Sequence, residues 1–427
     1  MKKKIFIFSF SLFLVFVSFK YYKEFYYKLP FKVKVVILSI FKNSKTSKKI
    51  ENDLKTKFLP NTQLIDLSYE KASLKEYVKL EEFEVAHGQY NKSYKSFFLE
   101  NKLDQVFLMT KRGHLYNLNF IDLKKSNNFS SSKIETNLIK NIDRVLNFHI
   151  KKNNVFVSAV TLKNSQCEVL TLFKGQLVSN SKKINFLKMF EIDECFLPGQ
   201  IGSGALASFT NNKGEEKLLL STHDYNSLYK EKPDSIQKTR AQRTASFFGK
   251  ILLIHIKKNE YEIYSMGHRT INGIYSNLDG SIILAAENGP YGGDEINKIN
   301  YGNNYGWNIS SYGEVTGARN SSPTLNKSHS DKNFTEPIFS FTPAISPTTM
   351  ISLKGFSNFW EDNFLMGSLI HKHLLRLKFD KDFNRLILIE PIYIGERIRD
   401  LIYLKNHKTI VMSLETSGSL AILKNLM

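Results

Sequence analysis

The chain has 427 residues and a formal net charge of +20, with 42% hydrophobic and 13% aromatic side chains. That is material for a large packed core, and it excludes wholesale disorder. Two cysteines exclude a disulfide scaffold and a thiolate zinc cluster, and ten prolines with 22 glycines exclude collagen-like or low-complexity architecture.

Residues 1–60 hold 14 Lys/Arg against three acidic residues, so more than half of the net charge sits beside the N-terminus. The rest carries no arginine cluster or basic helix, which argues against a nucleic-acid partner. Lys2, Lys3 and Lys4 precede an apolar run from Ile5 to Phe19 that ends at Lys20. This is the n-region and h-region of a secretory signal, but the bulky, basic residues that follow do not form a cleavage site. Fifteen helical residues span ~22 Å against a hydrocarbon core of ~30 Å, and flanking tyrosines and lysines reach part of the remainder. The expectation is an uncleaved anchor helix over 1–28, binding the membrane through the N-terminus, with the bulk of the chain periplasmic. A cleaved signal with an unusual site is the alternative. Val33–Phe41 is too short to span, and 29–67 reads as a basic linker.

From 68 onward the apolar residues come in short runs, not at helical spacing. Val106–Met109 is followed by a Lys-Arg-Gly turn and His114–Leu118; Val155–Val157 precedes Glu168–Leu172. Ile251–Ile256 meets Tyr261–Tyr264, Phe364–Met366 precedes Leu374–Phe379, and Ile410–Met412 precedes Ser419–Leu423. These are strand–turn–strand units, and no long amphipathic helix interrupts them, which excludes a doubly wound α/β fold. Recurring hairpins over this length predict an all-β chain, a β-propeller over 68–427 with about six blades of ~60 residues. Cys167 and Cys195 either pair in an oxidising compartment or are two buried thiols.

The segment Glu287-Asn-Gly-Pro-Tyr-Gly-Gly-Asp-Glu295, followed by Asn304-Tyr-Gly-Trp307, is a glycine-dense loop with an acidic pair. Backbone carbonyls with a carboxylate are hard oxygen donors, the ligand set calcium prefers, although a tight turn with solvated acids would read the same way. Motif and spacing resemble the signature of the glucose/sorbosone dehydrogenase family, six-bladed propeller quinoproteins that use pyrroloquinoline quinone (PQQ) with calcium. The resemblance covers roughly residues 100–425. It implies that the carbonyls of Gly289 and Pro290 bind the calcium that bridges to PQQ, while Glu295 and the Tyr305 carbonyl hold a second, structural calcium. Gly267-His-Arg-Thr270 resembles the family's Gly-His-Arg-Asn, which places Arg269 and Thr270 at PQQ, with Thr in the Asn position. Arg397-Ile-Arg-Asp400 resembles the stretch whose two arginines face the quinone carboxylates, here Arg397 and Arg399.

Two further positions depart from the family pattern. Ile370 stands where the family has a PQQ-binding lysine, and Gln200 stands at the position of the catalytic base histidine. Glutamine cannot accept a proton at neutral pH, and general-base help is worth roughly 10²–10⁴-fold. His223, beside Asp224 in a segment resembling the one that supports the base, is the candidate for a relocated base. The resemblance therefore implies oxidation of an aldose sugar or related alcohol, with electrons passing to an external acceptor. The alternative is a catalytically decayed propeller binding a glycan or protein partner in the cell envelope.

Overall fold

The computed structural model describes residues 67–73 and 96–425, except 104, 120–130, 179–181, 197, 200–201, 226–239, 291 and 315–327. The expected anchor, the linker up to 66 and Gln200 lie outside the described residues. Among the described residues no helix is long and apolar enough to cross a membrane.

The chain forms six antiparallel sheets in sequence order. The first blade contains Phe97–Lys102 (β2), Gln105–Thr110 (β3), Leu115–Asn119 (β4) and Ser131–Thr136 (β5). The second contains Arg144–Lys151 (β6), Asn154–Asn164 (β7), Cys167–Gln176 (β8) and Leu187–Glu191 (β10). Between β8 and β10, Lys183–Ile184 (β9) crosses to the first blade and pairs in parallel with β5. The third blade is Leu206–Thr210 (β11), Glu216–Ser221 (β12), Lys250–His255 (β13) and Glu260–Met266 (β14). The fourth is Thr270–Ser276 (β15), Ile283–Asn288 (β16), Asp294–Lys298 (β17) and Phe339–Phe341 (β18). The fifth is Pro347–Ser352 (β19), Asn363–Ser368 (β20), His373–Phe379 (β21) and Leu386–Tyr393 (β22). The sixth takes Ile398–Leu404 (β23), Thr409–Leu414 (β24) and Ser419–Asn425 (β25), and its fourth strand is Leu67–Ser73 (β1), antiparallel to β25 from Leu67↔Asn425 to Ser73↔Ser419.

The first strands of successive blades touch in a closed circuit, β2 to β6, β11, β15, β19, β23 and back to β2. The fold is a six-bladed β-propeller, and all five hairpins read from the sequence lie in it as adjacent strands. The strands form where β-branched and aromatic residues alternate with turn residues, and their buried faces fill the spaces between blades. One inter-blade layer joins Phe98, Phe107 and Met109 of the first blade to Val145, Phe148 and Val157 of the second. Another joins Phe156, Leu170 and Leu172 to Leu218, Leu220 and Leu252 of the third.

Near the axis the blades approach too closely for side chains everywhere. A Cβ on Gly273 of β15 would stand 2.4 Å from the Thr348 carbonyl oxygen of β19. Only glycine fits there. Every blade joint also carries a polar tie. Val145 N donates to Lys111 O (2.6 Å), and Ser158 Oγ donates to Gly204 O (2.6 Å). Ser221 Oγ donates to Ile271 O (3.1 Å), and Asn272 Nδ2 donates to Pro347 O (3.2 Å). Thr348 Oγ1 donates to Ile398 O (3.1 Å), and Ser413 Oγ donates to Phe97 O (3.0 Å). The His149 imidazole spans three blades, lying 2.6 Å from Glu100 Oε1 and 2.7 Å from Ser208 Oγ.

Cys167 and Cys195 are joined in a disulfide with a sequence separation of 28, which settles the alternative left open by the sequence. Closing a loop of that length removes unfolded-state entropy worth about 3–4 kcal/mol. Cys167→Ser/Cys195→Ser should therefore lower the free energy of unfolding by about 2–4 kcal/mol, read as a reduced denaturant midpoint with a slope that rises as the unfolded chain expands.

Candidate active site

Lys111, Asn147, Ser203, Asn272, Thr349 and Arg399 line one cavity. They come from the first blade, the second, the segment before β11, and β15, β19 and β23. Only the propeller axis is within reach of all six blades, so the cavity is axial. The segment that leads to β11 is held there by buried Glu168, whose Oε1 accepts from Gly199 N at 2.9 Å and whose Oε2 pairs with Arg144 at 2.8 Å. Gly202, Ser203, Gly204 and Ala205 line the cavity; Gln200 lies outside the described residues. Ser203 is 4% exposed and its hydroxyl has no hydrogen-bond partner among the described residues.

Arg397 and Arg399 lie together at this face and share one carboxylate. Arg397 Nε is 2.9 Å from Glu415 Oε2, and Arg399 Nη2 is 2.7 Å from Glu415 Oε1. Glu415 is 1% exposed. Burial alone would raise its carboxyl, but the Arg399 and Arg397 guanidinium groups outweigh burial and hold it at about 2. Lys111 adds a further cationic group; burial and the charge of Arg399 pull its ammonium down to about 7. Sequence reasoning missed both Lys111 and Glu415. One sits in what reads as an ordinary turn, the other just past a strand, and neither position carries a signal.

Arg269 is spatially separate from that pair and belongs to the glycine-dense loop. Its Nη1 donates to Asn288 O (3.0 Å) and Gly289 O (2.7 Å), and its guanidinium carbon lies 5.4 Å from the centre of the Trp307 ring. Glu287 fixes it from behind, accepting from the Arg269 backbone N–H and lying 3.0 Å from His268 Nδ1. Asp294 is a loop staple: Oδ1 accepts from Gly289 N (2.9 Å), and Oδ2 accepts from Ile345 N (2.7 Å) and Ser346 N (2.6 Å).

The fit of calcium differs between the two expected positions. A carbonyl oxygen has two lone pairs, so Arg269 leaves one on Gly289 O. Gly289, Glu287 and Ser310 line a small cavity with Arg269, with Glu295, Tyr305 and His329 on its other side, and the buried Ser310 Oγ has no hydrogen-bond partner among the described residues. Oxygen donors around a tight loop suit a hard cation, so the Gly289 carbonyl fits, while Pro290 does not line this cavity. The Glu295–Tyr305 end does not fit. There His329 Nδ1 donates to Tyr305 O at 2.9 Å, and His329 Nε2 lies 3.3 Å from Glu295 Oε1, an ion-pair distance without hydrogen-bond alignment. Among the described residues no cluster of three or more His, Cys, Asp or Glu is arranged to hold a metal.

His223, the candidate relocated base, is buried and both of its nitrogens are engaged. Nδ1 is 2.7 Å from Thr270 Oγ1, and Nε2 is 3.3 Å from Asp224 Oδ1. Asp224 Oδ2 in turn accepts from Trp307 Nε1 at 2.6 Å. Burial lowers the imidazole to about 4, with Asp224 opposing and Arg269 adding to the shift, so at neutral pH the ring is uncharged. His223 and Asp224 lie side by side and link the third blade to Thr270 and Trp307, and neither lines either cavity. Ile370 is 57% exposed and lines neither cavity.

Residues 149–422 match the family model described as glucose/sorbosone dehydrogenase. The chain belongs to the glucose/sorbosone dehydrogenase family. It is 25% identical over 208 residues to quinoprotein glucose dehydrogenase B of Acinetobacter calcoaceticus, covering 37% of this chain and 43% of that one. It is 29% identical over 164 residues to an aldose sugar dehydrogenase of Escherichia coli K12, again 37% and 43%. The chain thus spans less than half the length of these two curated relatives. The crystal structure of the soluble E. coli aldose sugar dehydrogenase in its apo form shares the fold, with a TM-score of 0.65, 16% identity, 84% of this chain and all of that one. Members of the family bind PQQ, typically with calcium, and act on sugars as oxidoreductases.

The Arg397–Glu415–Arg399 cluster generates a pH prediction. A carboxyl held below its unfolded value of 4.5 contributes stability that is present above that value and lost as pH falls towards about 2. Wild type should therefore lose stability between about pH 4.5 and 2, and Glu415→Gln should be destabilised by about 3–5 kcal/mol at pH 7 because two guanidinium groups lose their shared partner. In Glu415→Gln the acid-dependent loss in that window should shrink, measured by denaturant titrations at stepped pH.

Proposed function

We propose that this propeller is a quinoprotein-type oxidoreductase that oxidises an aldose sugar or related alcohol, using PQQ and one calcium and passing electrons to an external acceptor. The observation that carries the reading is a pair of cationic groupings, Arg397 and Arg399 with Lys111 at the axial cavity and Arg269 on the calcium-compatible loop. Two arginines on one buried carboxylate retain a net positive charge, and Arg269 and Lys111 add to it. An acidic, planar ligand is what such a surface accepts, through paired N–H donors that match carboxylates. When bound, PQQ supplies two-electron acceptor chemistry and the calcium at the Gly289 and Pro290 carbonyls polarises it.

The chain's own part is binding and orientation. Glu415 fixes the planes of Arg397 and Arg399, Trp307 and the loop carbonyls fix Arg269, and Asp294 fixes the loop. Thr270 stands in the Asn position and spends its hydroxyl on His223. The disulfide supports an oxidising compartment, and with the lysine-flanked apolar N-terminus it favours a propeller held on the periplasmic side of the inner membrane.

A second reading is favoured by one specific arrangement: His223 is neutral with both nitrogens engaged, and Gln200 cannot take a proton. On that reading the propeller keeps its ligand-binding face but has lost turnover, and binds a glycan or protein partner. The two readings are separated in the full-length protein. Apo-protein with calcium should take up PQQ, followed by absorbance, and Arg269→Gln or Arg399→Gln should weaken uptake about 10-fold or more. Dye reduction over an aldose panel then decides turnover. Gln200→His should raise kcat by roughly 10²-fold or more, whereas His223→Ala should affect melting temperature more than kcat. A wild type silent on every aldose and revived by Gln200→His supports the binding module. No PQQ uptake by wild type overturns the quinoprotein reading and leaves the glycan- or protein-binding propeller standing.

A further inference from the structure

We infer that in this chain His329 takes the place of a metal ion between Glu295 and Tyr305, so that this end of the loop is held together by a protein side chain and binds no calcium. The Tyr305 carbonyl can only accept, so His329 Nδ1 carries the hydrogen that reaches it at 2.9 Å. The opposite ring nitrogen faces Glu295 Oε1 at 3.3 Å. The other Glu295 oxygen accepts from Asn297 Nδ2 at 3.1 Å. One ring therefore already faces both oxygen donors that would be offered to a cation, hydrogen-bonded to the carbonyl and at ion-pair distance from the carboxylate.

The seat for that ring is built. His329 is 1% exposed, and the Tyr312 ring stacks on it with centroids 5.3 Å apart and planes 26° apart. At Gly306, whose φ is +86°, a Cβ would meet His329 Nδ1 at 2.9 Å and Phe334 at a similar distance, so the glycine makes room for the imidazole. Backbone bonds from Lys332 N (3.1 Å) and Phe334 N (3.0 Å) to His329 O hold the segment in place. Calcium takes six to eight oxygen ligands at about 2.3–2.6 Å, and an imidazole nitrogen is a soft substitute for any of them. His329 thus fills the volume and presents the wrong donor. The inference goes beyond the functional reading above and stands whether or not the quinone binds.

The test counts ions in the full-length protein, stripped with chelator and then dialysed against calcium, with bound calcium per chain measured by atomic emission. Wild type should hold at most one calcium, Glu295→Gln should hold the same number as wild type, and His329→Ala should hold one more. The His329→Ala protein should also gain a calcium-dependent rise in melting temperature beyond that of wild type. Two calcium ions in wild type overturn the inference, as does the loss of one on Glu295→Gln, or a folded His329→Ala that binds no more than wild type. Should His329→Ala fail to fold, the wild-type count and Glu295→Gln still decide. A wild type holding none defeats calcium at Gly289 and Pro290 while leaving His329 in the role assigned to it.

Discussion

In a ring of sheets the innermost strand of every blade has one edge with no strand beside it. Backbone groups on such an edge must find partners other than a ladder, or the closed ring costs more than its apolar layers return. Here the answer is a set of short polar ties that reach from one blade to the backbone of the next. Hydroxyls of Ser158, Ser221, Thr348 and Ser413 serve four joints, the Asn272 amide a fifth, and the Val145 backbone N–H a sixth. Each is a modest contribution of about 1 kcal/mol. Their collective effect is to fix the angular position of each blade. A cavity lined from all six blades has a defined shape only under that condition.

The same economy governs charge near the axis. Glu415, Glu295, Glu287 and Glu168 are all buried, and each is met by fixed partners: two guanidinium groups, an imidazole, a backbone N–H with a histidine, and Arg144 with a backbone N–H. Buried carboxylates would otherwise be prohibitive. Because the partners come from different elements, the carboxylates act as fixed points around which the loops are arranged. The cationic face is consequently pre-oriented and needs little ordering when an acidic ligand arrives.

The hairpins were legible because strand pairs close in sequence leave a local pattern. Val106–Met109 with His114–Leu118, and Ile251–Ile256 with Tyr261–Tyr264, announce themselves through apolar runs and turn residues. β1 was not legible: its pairing with β25 joins segments far apart in sequence and leaves no local trace. β9 was equally silent, since two residues in parallel with β5 carry no periodicity. In the site, the Glu287–Glu295 loop was readable from a motif, and the structure sets Arg397 and Arg399 together on Glu415 but Arg269 apart from them on the loop. The partners that decide how those residues behave were invisible. Glu415 and His329 meet their arginines and carboxylate through tertiary contact alone. His223 and Asp224 were found as neighbours, but the Thr270 hydroxyl that occupies the second nitrogen could be placed only by the fold.

The closing strand also sets an order in time. β1 can be paired only after Ser419–Asn425 exists, so a chain made from its N-terminus carries an unclosed ring until the sixth blade has been made. During that interval β1 and the outer edge of the last blade are free strands, able to pair with the wrong partner. Closure by the most distant segments makes the finished ring hard to unzip from either end. The same arrangement makes the nascent chain, more than the mature protein, the state most dependent on protection from aggregation.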